Sequence, residues 1–457
     1  MKEYETIVIG GGTAGLTVLF KALSQKGKVA LIEKNLLGGT CQNFGCVPSK
    51  MLLYPADLVT LIQRAGRFGI QAEVSRIDFS AVMERMRKYV ADIRKGTEEG
   101  VTGSENLDYY HQQAHFVDEY TLETGNERIR GKRIFIATGS REMIPPVKGL
   151  DAAGYLTSET LLQMTEKPES MLIIGGGYVA AEYSHFFASM GTRVIVLQNG
   201  ERLVPHEEPE ISDLLRQEME KRMEVYTGIT ATGVKKDKNG GYTVTGKEDK
   251  TGEAKDFTAE KVLVATGRES NADMLKGENT GITLTGKGYI KVNDYLETEK
   301  KEIWAVGDAI DRLMFTHSGD KEAEIAWYNA TNDRKVKMDF SLVPHAVYSY
   351  PQIASVGLTE EQARKEHTIL VGKARYSDIV KGNAMEEETG FAKAIVEKGS
   401  GRILGFHLIG PEAPLLIQEV VTAMTAGLTS TALTESMHIF PSLSEVVQEA
   451  LGHAREP

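Results

Sequence analysis

The hydrophobic positions near the N-terminus form two short runs that flank a glycine-rich turn. Residues 6–9 are apolar or β-branched, GGGTAG follows at residues 10–15, and a helix-like stretch extends to residue 26. A second apolar run, residues 29–32, ends at Glu33. This order predicts a strand, a tight turn, a helix and a strand. It favours a dinucleotide site, because glycines let backbone N–H groups approach a pyrophosphate and an acidic strand end meets a ribose hydroxyl. A tight turn without a ligand is the alternative.

The same order of elements returns 165 residues later. An apolar run at residues 171–174 precedes GGGYVA at residues 175–180, a helix-like stretch to residue 190 and a strand at residues 193–197. Adding 165 to Gly10, Gly12, Gly15 and Glu33 gives Gly175, Gly177, Ala180 and Gln198. Two unrelated units with glycine-rich turns are the alternative, but one shared offset indicates an internal duplication. Two dinucleotides in one chain suggest electron transfer between them.

The second copy ends in a neutral residue where the first has an acid. Glu33 would repel a 2′-phosphate, whereas Gln198 would not. Arg193, Arg202 and His206 are nearby in sequence and would supply positive charge. This difference favours NADPH over NADH, and a hydrogen bond from Gln198 to an unphosphorylated ribose is the alternative.

The remaining pattern divides the chain further. Residues 134–139 and 262–267 are buried-strand patterns that each end in a small-residue turn, and NGG at residues 239–241 is a hairpin signal on a solvated edge. From residue 343 onward, strands are followed by helices. We therefore predict an α/β fold of two Rossmann-like domains and a C-terminal α+β domain. The predicted boundaries are residues 1–149, 150–270, 271–342 (a continuation of the first domain) and 343–457.

Charge and composition exclude several functions. Lys plus Arg is 53 against 64 for Asp plus Glu, a net charge of −11, which disfavours nucleic acid as a partner. No run approaches 18 apolar residues, so no membrane span is predicted. The first residues, MKEYE, lack the pattern of a signal peptide. With few cysteines, these features predict a cytoplasmic protein.

The chain has two cysteines, Cys41 and Cys46, which closely follow the first glycine-turn unit. Four intervening residues suit about one helical turn, so the two sulfurs are able to bridge. Lys50 and a helix N-terminus favour a thiolate there. Two buried reduced thiols and half of a metal site are the alternatives. Zinc needs further cysteine or histidine ligands, which are lacking nearby, so no metal is predicted and a redox-active disulfide is favoured.

The segment GTCQNFGCVPSK at residues 39–50 resembles the active-site signature of the flavin-dependent pyridine nucleotide–disulfide oxidoreductases. This is the family of lipoamide dehydrogenase, glutathione reductase and mercuric reductase. The resemblance extends over the full chain and includes GYVAAE at 177–182, WAVGD at 304–308 and PQIASVGLT at 351–359. It implies that electrons pass from NADH or NADPH through FAD to the redox disulfide and then to a disulfide acceptor. It also implies a homodimer formed through residues 343–457.

The resemblance implies roles for individual residues. Cys46 would face the flavin and form the charge-transfer thiolate, and Cys41 would attack the substrate. Lys50 would pair with Glu182 beside the flavin N5. The implied FAD-binding residues are Gly10, Gly12, Gly15, Glu33, Thr40, Lys50, Ala114, Thr138, Gly139 and Asp308. The implied nicotinamide-nucleotide residues are Gly175, Gly177, Ala180, Glu182, Gln198 and Gly267.

The C-terminal segment departs from the family pattern. The family's disulfide reductases place a histidine before a proline here, with a glutamate behind it, and this pair reaches the partner subunit's active site. Pro441 and Glu445 are present, but Phe440 occupies the histidine position. Phenylalanine cannot shuttle protons, a function worth roughly a hundred- to ten-thousandfold in rate. His438 is the candidate replacement in the acid–base role with Glu445, and a satisfied interface histidine is the alternative.

Mercuric reductases resemble this chain in having Phe-Pro at that point, because a soft metal bound as a dithiolate needs no proton shuttle. They usually continue with a tyrosine, where this chain has Ser442, and add a C-terminal cysteine pair that residues 452–457 lack. A disulfide reductase is therefore favoured, and reduction of Hg(II) is the second hypothesis. A transhydrogenase or diaphorase would leave the two cysteines without a purpose. A catalytically silent FAD-binding subunit is disfavoured, because the electron path from nicotinamide to dithiol is complete.

Overall fold

The structure is a computed structural model that describes residues 1–456. Within these residues the chain forms two compact units. The first unit comprises Met1–Met51, Ala81–Met143 and Gly267–Phe340. The second comprises Leu52–Ser80, Ile144–Thr266 and residues 341–456. Our division of the chain at residues 149, 270 and 342 stays a prediction.

Residues 1–456 contain 21 strands. In chain order they are β1 (Lys2–Ile9), β2 (Val29–Ile32), β3 (Leu107–Tyr110), β4 (Ala114–Asp118), β5 (Thr121–Thr124), β6 (Glu127–Ile136), β7 (Ser140–Glu142), β8 (Ser170–Ile174), β9 (Arg193–Gln198), β10 (Glu224–Thr227), β11 (Ile229–Lys236), β12 (Tyr242–Glu248), β13 (Ala254–Ala259), β14 (Lys261–Val264), β15 (Arg268–Ser270), β16 (Ile303–Ala305), β17 (His345–Val347), β18 (Ile353–Gly357), β19 (Ile369–Arg375), β20 (Phe391–Glu397) and β21 (Ile403–Ile409).

The same part of the chain contains 13 α-helices. They are α1 (Thr13–Leu23), α2 (Gly39–Asn43), α3 (Cys46–Arg64), α4 (Phe79–Thr102), α5 (Leu150–Ala153), α6 (Tyr178–Ser189), α7 (Pro209–Glu220), α8 (Thr316–Thr331), α9 (Glu360–Glu366), α10 (Val380–Ala384), α11 (Ala413–Thr425), α12 (Ser430–Thr434) and α13 (Glu445–Gly452).

The first unit is built on a sheet whose central strands are parallel, in the order β3-β2-β1-β6. The far side of β6 pairs with β5 at its beginning and with β16 at its end. All four residues of β2 are buried, which is typical of a parallel strand covered on both faces. This arrangement brings the carboxyl ends of β1, β2, β6 and β16 to one edge, where α1 begins.

The second unit contains three sheets. The first is parallel, in the order β10-β9-β8-β14, and α6 follows β8 as α1 follows β1. The second is an antiparallel three-stranded sheet, β11-β12-β13. The third is an antiparallel five-stranded sheet, β17-β18-β21-β20-β19, whose buried residues pack with those of α11 and α13. Antiparallel strands followed by helices are the pattern that the C-terminal residues predict.

The predicted fold class is confirmed: two α/β units whose glycine turns follow parallel strands, and a C-terminal α+β region. The hairpin predicted at residues 239–241 joins β11 to β12. The first helix is shorter than predicted: it ends at Leu23 rather than near residue 26. The polar residues that follow lead to Gly27, whose φ of +131° cannot continue a helix.

Candidate active site and nucleotide sites

The first glycine turn joins β1 to α1. Gly10 has φ +111°, and a Cβ atom there would lie 2.1 Å from the carbonyl oxygen of Ala137. A Cβ atom on Gly15 would lie 1.9 Å from the carbonyl oxygen of Gly10. Both positions therefore require glycine. Gly12 precedes α1 and supplies no side-chain cap, so the N–H groups of the first helical turn are available to an anion such as pyrophosphate.

Glu33 follows β2 and faces this turn. One carboxylate oxygen accepts a hydrogen bond from the N–H of Gly11 at 2.6 Å, and the other accepts from the N–H of Asn35 at 2.6 Å. A cleft beside Glu33 is also lined by Ala114 and Thr138. The Thr138 hydroxyl is buried and has no hydrogen-bond partner among residues 1–456. Buried polar groups are normally satisfied, so the turn, the acid and this hydroxyl together fit a dinucleotide such as FAD.

Asp308 lies just after β16 and is held by side chains that the sequence analysis missed. Its carboxylate accepts a hydrogen bond from the Ser140 hydroxyl at 2.6 Å, and that hydroxyl accepts from Nε of Arg268 at 2.7 Å. The N–H of the preceding residue, Gly307, donates to the fully buried carboxyl of Glu322 at 2.6 Å. Burial raises the pKa of Glu322. These contacts fix the peptide that presents Asp308.

Two further glycines end the predicted strand patterns. Gly139 has φ +65° and Gly267 has φ +112°. Each precedes a short strand, and the two strands, β7 and β15, pair antiparallel. Because the pairing is antiparallel, the two glycines lie at opposite ends of this strand pair in the first unit: the N–H of Asn271 donates to the carbonyl of Gly139 at 3.1 Å, and the N–H of Met143 donates to the carbonyl of Gly267 at 3.0 Å. The family resemblance assigns Gly267 to the nicotinamide nucleotide. That assignment stays a prediction.

The two cysteines lie against the first glycine turn, in the thiol form. Cys41 is in α2, and Cys46 begins α3. The segment before Cys41 packs closely on the turn, because a Cβ atom on Gly39 would lie 2.7 Å from Cα of Gly12. Thr40, the predicted pyrophosphate neighbour, is exposed at this point. The fold thus places the thiols beside the dinucleotide site that the sequence predicts.

The two thiols differ electrostatically. A hydrogen bond with Cys46, together with burial, raises the pKa of the Cys41 thiol. The Cys46 sulfur lies 3.3 Å from the hydroxyl of Thr316, which begins the long helix α8. The positive end of a helix favours a thiolate. We therefore expect Cys46 to lose its proton before Cys41. The sequence analysis missed Thr316, because 270 residues separate it from Cys46.

Lys50 and Glu182 lie on different helices in different units, so their predicted pairing stays a prediction. Lys50 is in the second turn of α3, and its ammonium donates to the hydroxyl of Ser49 at 3.4 Å. Glu182 is in α6, where its buried carboxylate accepts a hydrogen bond from the N–H of Tyr348 at 3.1 Å. This backbone contact orients Glu182 from a residue far away in sequence.

The second glycine turn repeats the backbone of the first. Gly175 has φ +118°, and its Cβ atom would lie 2.2 Å from the carbonyl oxygen of Ala265. A Cβ atom on Gly177 would meet no atom of residues 1–456 within 4 Å, and Ala180 is fully buried in α6. As in the first copy, the helix begins without a side-chain cap. The turn therefore fits a second pyrophosphate.

The residue at the end of the second copy lies where the duplication predicts. Gln198 ends β9, is buried, and donates from its side-chain amide to the carbonyl of Arg202 at 3.3 Å. Arg193 begins the same strand and pairs with Glu224 at 2.9 Å. The proposal that Arg193 supplies charge to a 2′-phosphate is therefore wrong, because it stands at the opposite end of the strand. Arg202 lies 3.2 Å from a carboxylate oxygen of Asp213.

The C-terminal segment presents an apolar side chain rather than a histidine. Phe440 is 72 % exposed and precedes Pro441 in a cis peptide bond. The Glu445 carboxylate accepts a hydrogen bond from the N–H of Ser442 at 3.0 Å. The His438 side chain turns inward, with Nε2 3.4 Å from a carboxylate oxygen of Glu419. Burial raises the pKa of Glu419, an acid that the sequence analysis missed.

Residues 1–456 hold neither a metal-binding cluster nor a membrane-spanning helix. No group of three or more histidine, cysteine or acidic side chains in this range is arranged to hold a metal ion. Over the same residues, no helix has the length and hydropathy needed to cross a membrane.

Comparisons with known proteins agree with this geometry. Residues 4–323 match the family described as "Pyridine nucleotide-disulphide oxidoreductase", and residues 343–451 match the dimerisation domain of that description. Mycothione reductase of Mycobacterium tuberculosis is 33 % identical over 464 residues, covering 99 % of each chain. Mercuric reductase of Staphylococcus aureus is 31 % identical over 445 residues, covering 97 % of this chain and 81 % of the relative. The HOCl-induced flavoprotein disulfide reductase RclA of Escherichia coli superposes with a TM-score of 0.87 at 28 % identity, covering 98 % of this chain and 99 % of that one.

Proposed function

The chain belongs to the pyridine nucleotide–disulphide oxidoreductase family, and we propose that Cys41 and Cys46 are its redox centre. It is an FAD-dependent enzyme that oxidises NADH or NADPH and reduces a disulfide, with a dimerisation domain that supports a homodimer. The observation that carries the proposal is the hydrogen-bonded thiol pair, packed on the first glycine turn beside the start of α8.

The first unit supplies the residues that would hold FAD. The glycine turn would offer N–H groups to the pyrophosphate and Glu33 would accept the ribose hydroxyls, while Ala114 and Thr138 line the cleft beside it. Asp308, oriented by Ser140, would accept hydroxyls of the ribityl chain. Bound FAD supplies a two-electron relay between nicotinamide and disulfide.

The two thiols have different tasks. Cys46 holds the thiolate, stabilised by the N-terminus of α8. Cys41 attacks one sulfur of the acceptor disulfide, and its thiol proton passes to the sulfur that leaves. The acceptor's S–S bond breaks and one thiol leaves. Cys46 then displaces the second thiol and restores the Cys41–Cys46 disulfide. In each turnover NAD(P)H gives a hydride and the solvent gives a proton, so that one disulfide becomes two thiols.

Lys50 and Glu182 are proposed to act where the nicotinamide delivers its hydride. The Lys50 ammonium would stabilise negative charge there, and the Glu182 carboxylate would hold the ammonium in place. Neutral Gln198 tolerates a 2′-phosphate, so we propose NADPH as the preferred donor. A redox disulfide that must be reduced again fits a reducing compartment, and we propose a cytoplasmic location.

The acceptor is proposed to be one that needs no proton shuttle from the C-terminal segment. Phe440 cannot transfer protons, and His438 is turned toward Glu419 within its own domain. We propose that His438 is a structural partner of Glu419 rather than the missing base. Without an imidazole to orient, Glu445 serves as the acceptor for the N–H of Ser442. Forming a thiolate from a dithiol substrate would therefore be slow.

Phe440→His tests this proposal. The change restores the family's histidine before Pro441 and should raise turnover of dihydrolipoamide by at least about tenfold, the low side of the range for positioned acid–base catalysis. Dye reduction by NAD(P)H bypasses the thiols and should barely change. Wild-type oxidation of dihydrolipoamide at hundreds of turnovers per second would contradict the proposal. His438→Ala should then remove that activity.

Reduction of a soft metal ion is the second candidate function. The observation that favours it is an exposed phenylalanine in place of the histidine, in a chain 31 % identical to a mercuric reductase. The sequence to residue 457 lacks a C-terminal cysteine pair. A screen with both nicotinamides against lipoamide, glutathione disulfide, quinones and Hg(II) separates the candidates. Disulfide turnover with no Hg(II)-dependent NAD(P)H oxidation would exclude metal-ion reduction as the function.

A further inference from the structure

A buried acid lies behind the second glycine turn. Glu207 is in the loop between β9 and α7, and its side chain has no exposed surface. In the same loop, the N–H of Val204 donates to the carbonyl of Gly176 at 2.7 Å, and the N–H of Glu207 donates to the carbonyl of Val204 at 2.9 Å. The loop therefore rests on the glycine turn and carries Glu207 beneath it. A carboxylate at this depth has to be hydrogen-bonded.

Three side chains donate to the Glu207 carboxylate. The Tyr178 hydroxyl lies 2.9 Å from one oxygen, and Nε2 of His345 lies 2.7 Å from the same oxygen. The Ser355 hydroxyl donates to the other oxygen at 2.6 Å. Burial opposes the charged form, but the hydrogen bonds from His345 and Ser355 outweigh it and lower the pKa of Glu207. Glu207 is thus an ionised acceptor shared between the nucleotide-binding and C-terminal regions.

Tyr178 is the first residue of α6 and directly follows Gly177. Its ring stacks on the His345 ring, with centroids 5.8 Å apart and planes 18° apart. Burial and the Glu207 charge raise the pKa of its hydroxyl, which therefore keeps its proton and donates. The side chain is held at its tip by Glu207 and along its face by His345. A tyrosine without these contacts would sample several rotamers at the entrance of the turn.

His345 belongs to a segment that contacts α6 at three places. The N–H of Tyr348 donates to Glu182, and the Tyr350 ring stacks on the His185 ring with centroids 5.5 Å apart. Residues 345, 348 and 350 thus meet α6 at residues 178, 182 and 185. That spacing defines one face of a helix. The segment 345–350, which we name the α6 strap, lies along the helix that begins the nucleotide site.

We propose that Glu207 and His345 are positioning residues for Tyr178, through which the C-terminal domain shapes the binding of the nicotinamide nucleotide. The inference rests on the proposed function, which puts that nucleotide at the second glycine turn. Fixing one rotamer of Tyr178 in the free enzyme removes an ordering cost that nucleotide binding would otherwise carry. Neither residue touches the reacting atoms in this proposal. Both act through Tyr178.

The test measures nucleotide affinity in the FAD-loaded enzyme. Tyr178→Phe removes the hydroxyl and keeps the ring, and His345→Asn removes the stacking ring. We expect each change to raise the KM for NAD(P)H and the Kd for oxidised nucleotide by about three- to tenfold. This factor in affinity corresponds to the net free energy of one hydrogen bond. The kcat with a dye acceptor should stay within about twofold, because the chemistry is not touched. In the double variant Tyr178→Phe/His345→Asn, the KM and Kd should rise little beyond the values of either single variant, because both changes disturb the same contact.

The matched control is His367→Asn, which breaks another histidine–glutamate pair of the same unit, with His367 2.7 Å from Glu397. It should leave the nucleotide KM within about twofold. Ser355→Ala removes one donor to Glu207 and provides a second, milder variant if His345→Asn does not fold. We expect a smaller rise in KM in that case.

The outcomes separate this inference from the proposed function. Unchanged Kd and KM in Tyr178→Phe and His345→Asn, in an active wild type, would overturn the positioning role alone. Loss of kcat and thermal stability with an unchanged Kd would assign His345 and Glu207 a structural role and overturn it as well. A wild type that oxidises neither NADH nor NADPH would contradict the proposed function itself.

Discussion

The two glycine-turn units share a scaffold, and the loop after the second strand distinguishes them. In the first unit the N–H of Gly38 donates to the carbonyl of Gly11 at 2.8 Å. In the second, the N–H of Val204 donates to the carbonyl of Gly176 at 2.7 Å. Both loops therefore return to their turn by the same kind of contact. The first continues into α2 with Cys41, whereas the second carries Glu207 and no thiol.

The difference shows which part of the repeated unit is constrained. Under the proposed function, the turn is preserved because a strand, a helix and a pyrophosphate would approach one backbone at the same distances. The loop and the strand end would face groups that differ between the two nucleotides, which leaves them free to diverge. Glu33 accepts hydrogen bonds from backbone N–H groups at one strand end, and Gln198 donates to a backbone carbonyl at the other. Scaffold and chemistry are therefore separable, and substitutions can test each.

The largest effect should come from removing the chemistry that only the first loop carries. Cys46→Ser should lower disulfide reduction by at least about a thousandfold, because a hydroxyl neither forms a disulfide nor donates electrons. Dye reduction by NAD(P)H should persist. Two-electron reduction of the wild type should give a long-wavelength absorbance band between thiolate and flavin, which Cys46→Ser should abolish and Cys41→Ser should keep. The opposite result would exchange the roles of the two thiols.

A smaller effect should follow from making the first turn resemble the second. Gly15 in the first copy is equivalent to Ala180 in the second. A Cβ atom on Gly15 would lie 1.9 Å from a backbone oxygen. Gly15→Ala should weaken FAD binding by roughly ten- to a hundredfold, the usual cost of overpacking. The measurement is the flavin content of the purified protein and its reconstitution with FAD. Gly96→Ala in α4 is the control, because its Cβ atom would meet no atom of the part of the chain that the structure describes within 4 Å. Full flavin content in Gly15→Ala would contradict the close approach.

The smallest effect should come from making the second strand end resemble the first. Gln198→Glu introduces a carboxylate that repels a 2′-phosphate, so the ratio of kcat/KM for NADPH over NADH should fall by about tenfold. The kcat with NADH and a dye acceptor serves as the internal control and should stay nearly constant. An unchanged ratio would mean that residue 198 does not face the ribose.

Much of the fold follows from local pattern. The two strand–turn–helix–strand units, the hairpin at residues 239–241 and the α+β region after residue 343 were predictable, because hydrophobic period and turn chemistry are local properties. The end of α1 was misplaced by about one turn, since a polar helix end and a polar loop look alike in sequence. The sequence also did not predict that α3 is divided between the two units. Its residues to Met51 belong to the first unit, and those from Leu52 belong to the second.

The candidate site was predictable where residue type alone carries the signal. Glycine at positions 10, 15 and 175 is required by the backbone, and two cysteines in 457 residues attract attention by their rarity. The supporting residues were not predictable. Ser140, Glu322 and Thr316 hydrogen-bond their partners across 168, 15 and 270 positions. None of them belongs to a motif.

The sequence by itself determined the two nucleotide turns, the thiol pair and the loss of the C-terminal histidine at Phe440. Each of these depends on the identity of a residue and its neighbours. Only the tertiary structure decided that Glu207 is buried beneath Tyr178 and that His438 turns toward Glu419. From the sequence alone, an acidic residue in a polar loop is expected to be exposed to solvent. Whether it is buried, and which donors then satisfy its charge, depends on segments far away in the chain, because desolvation is a property of the packed fold.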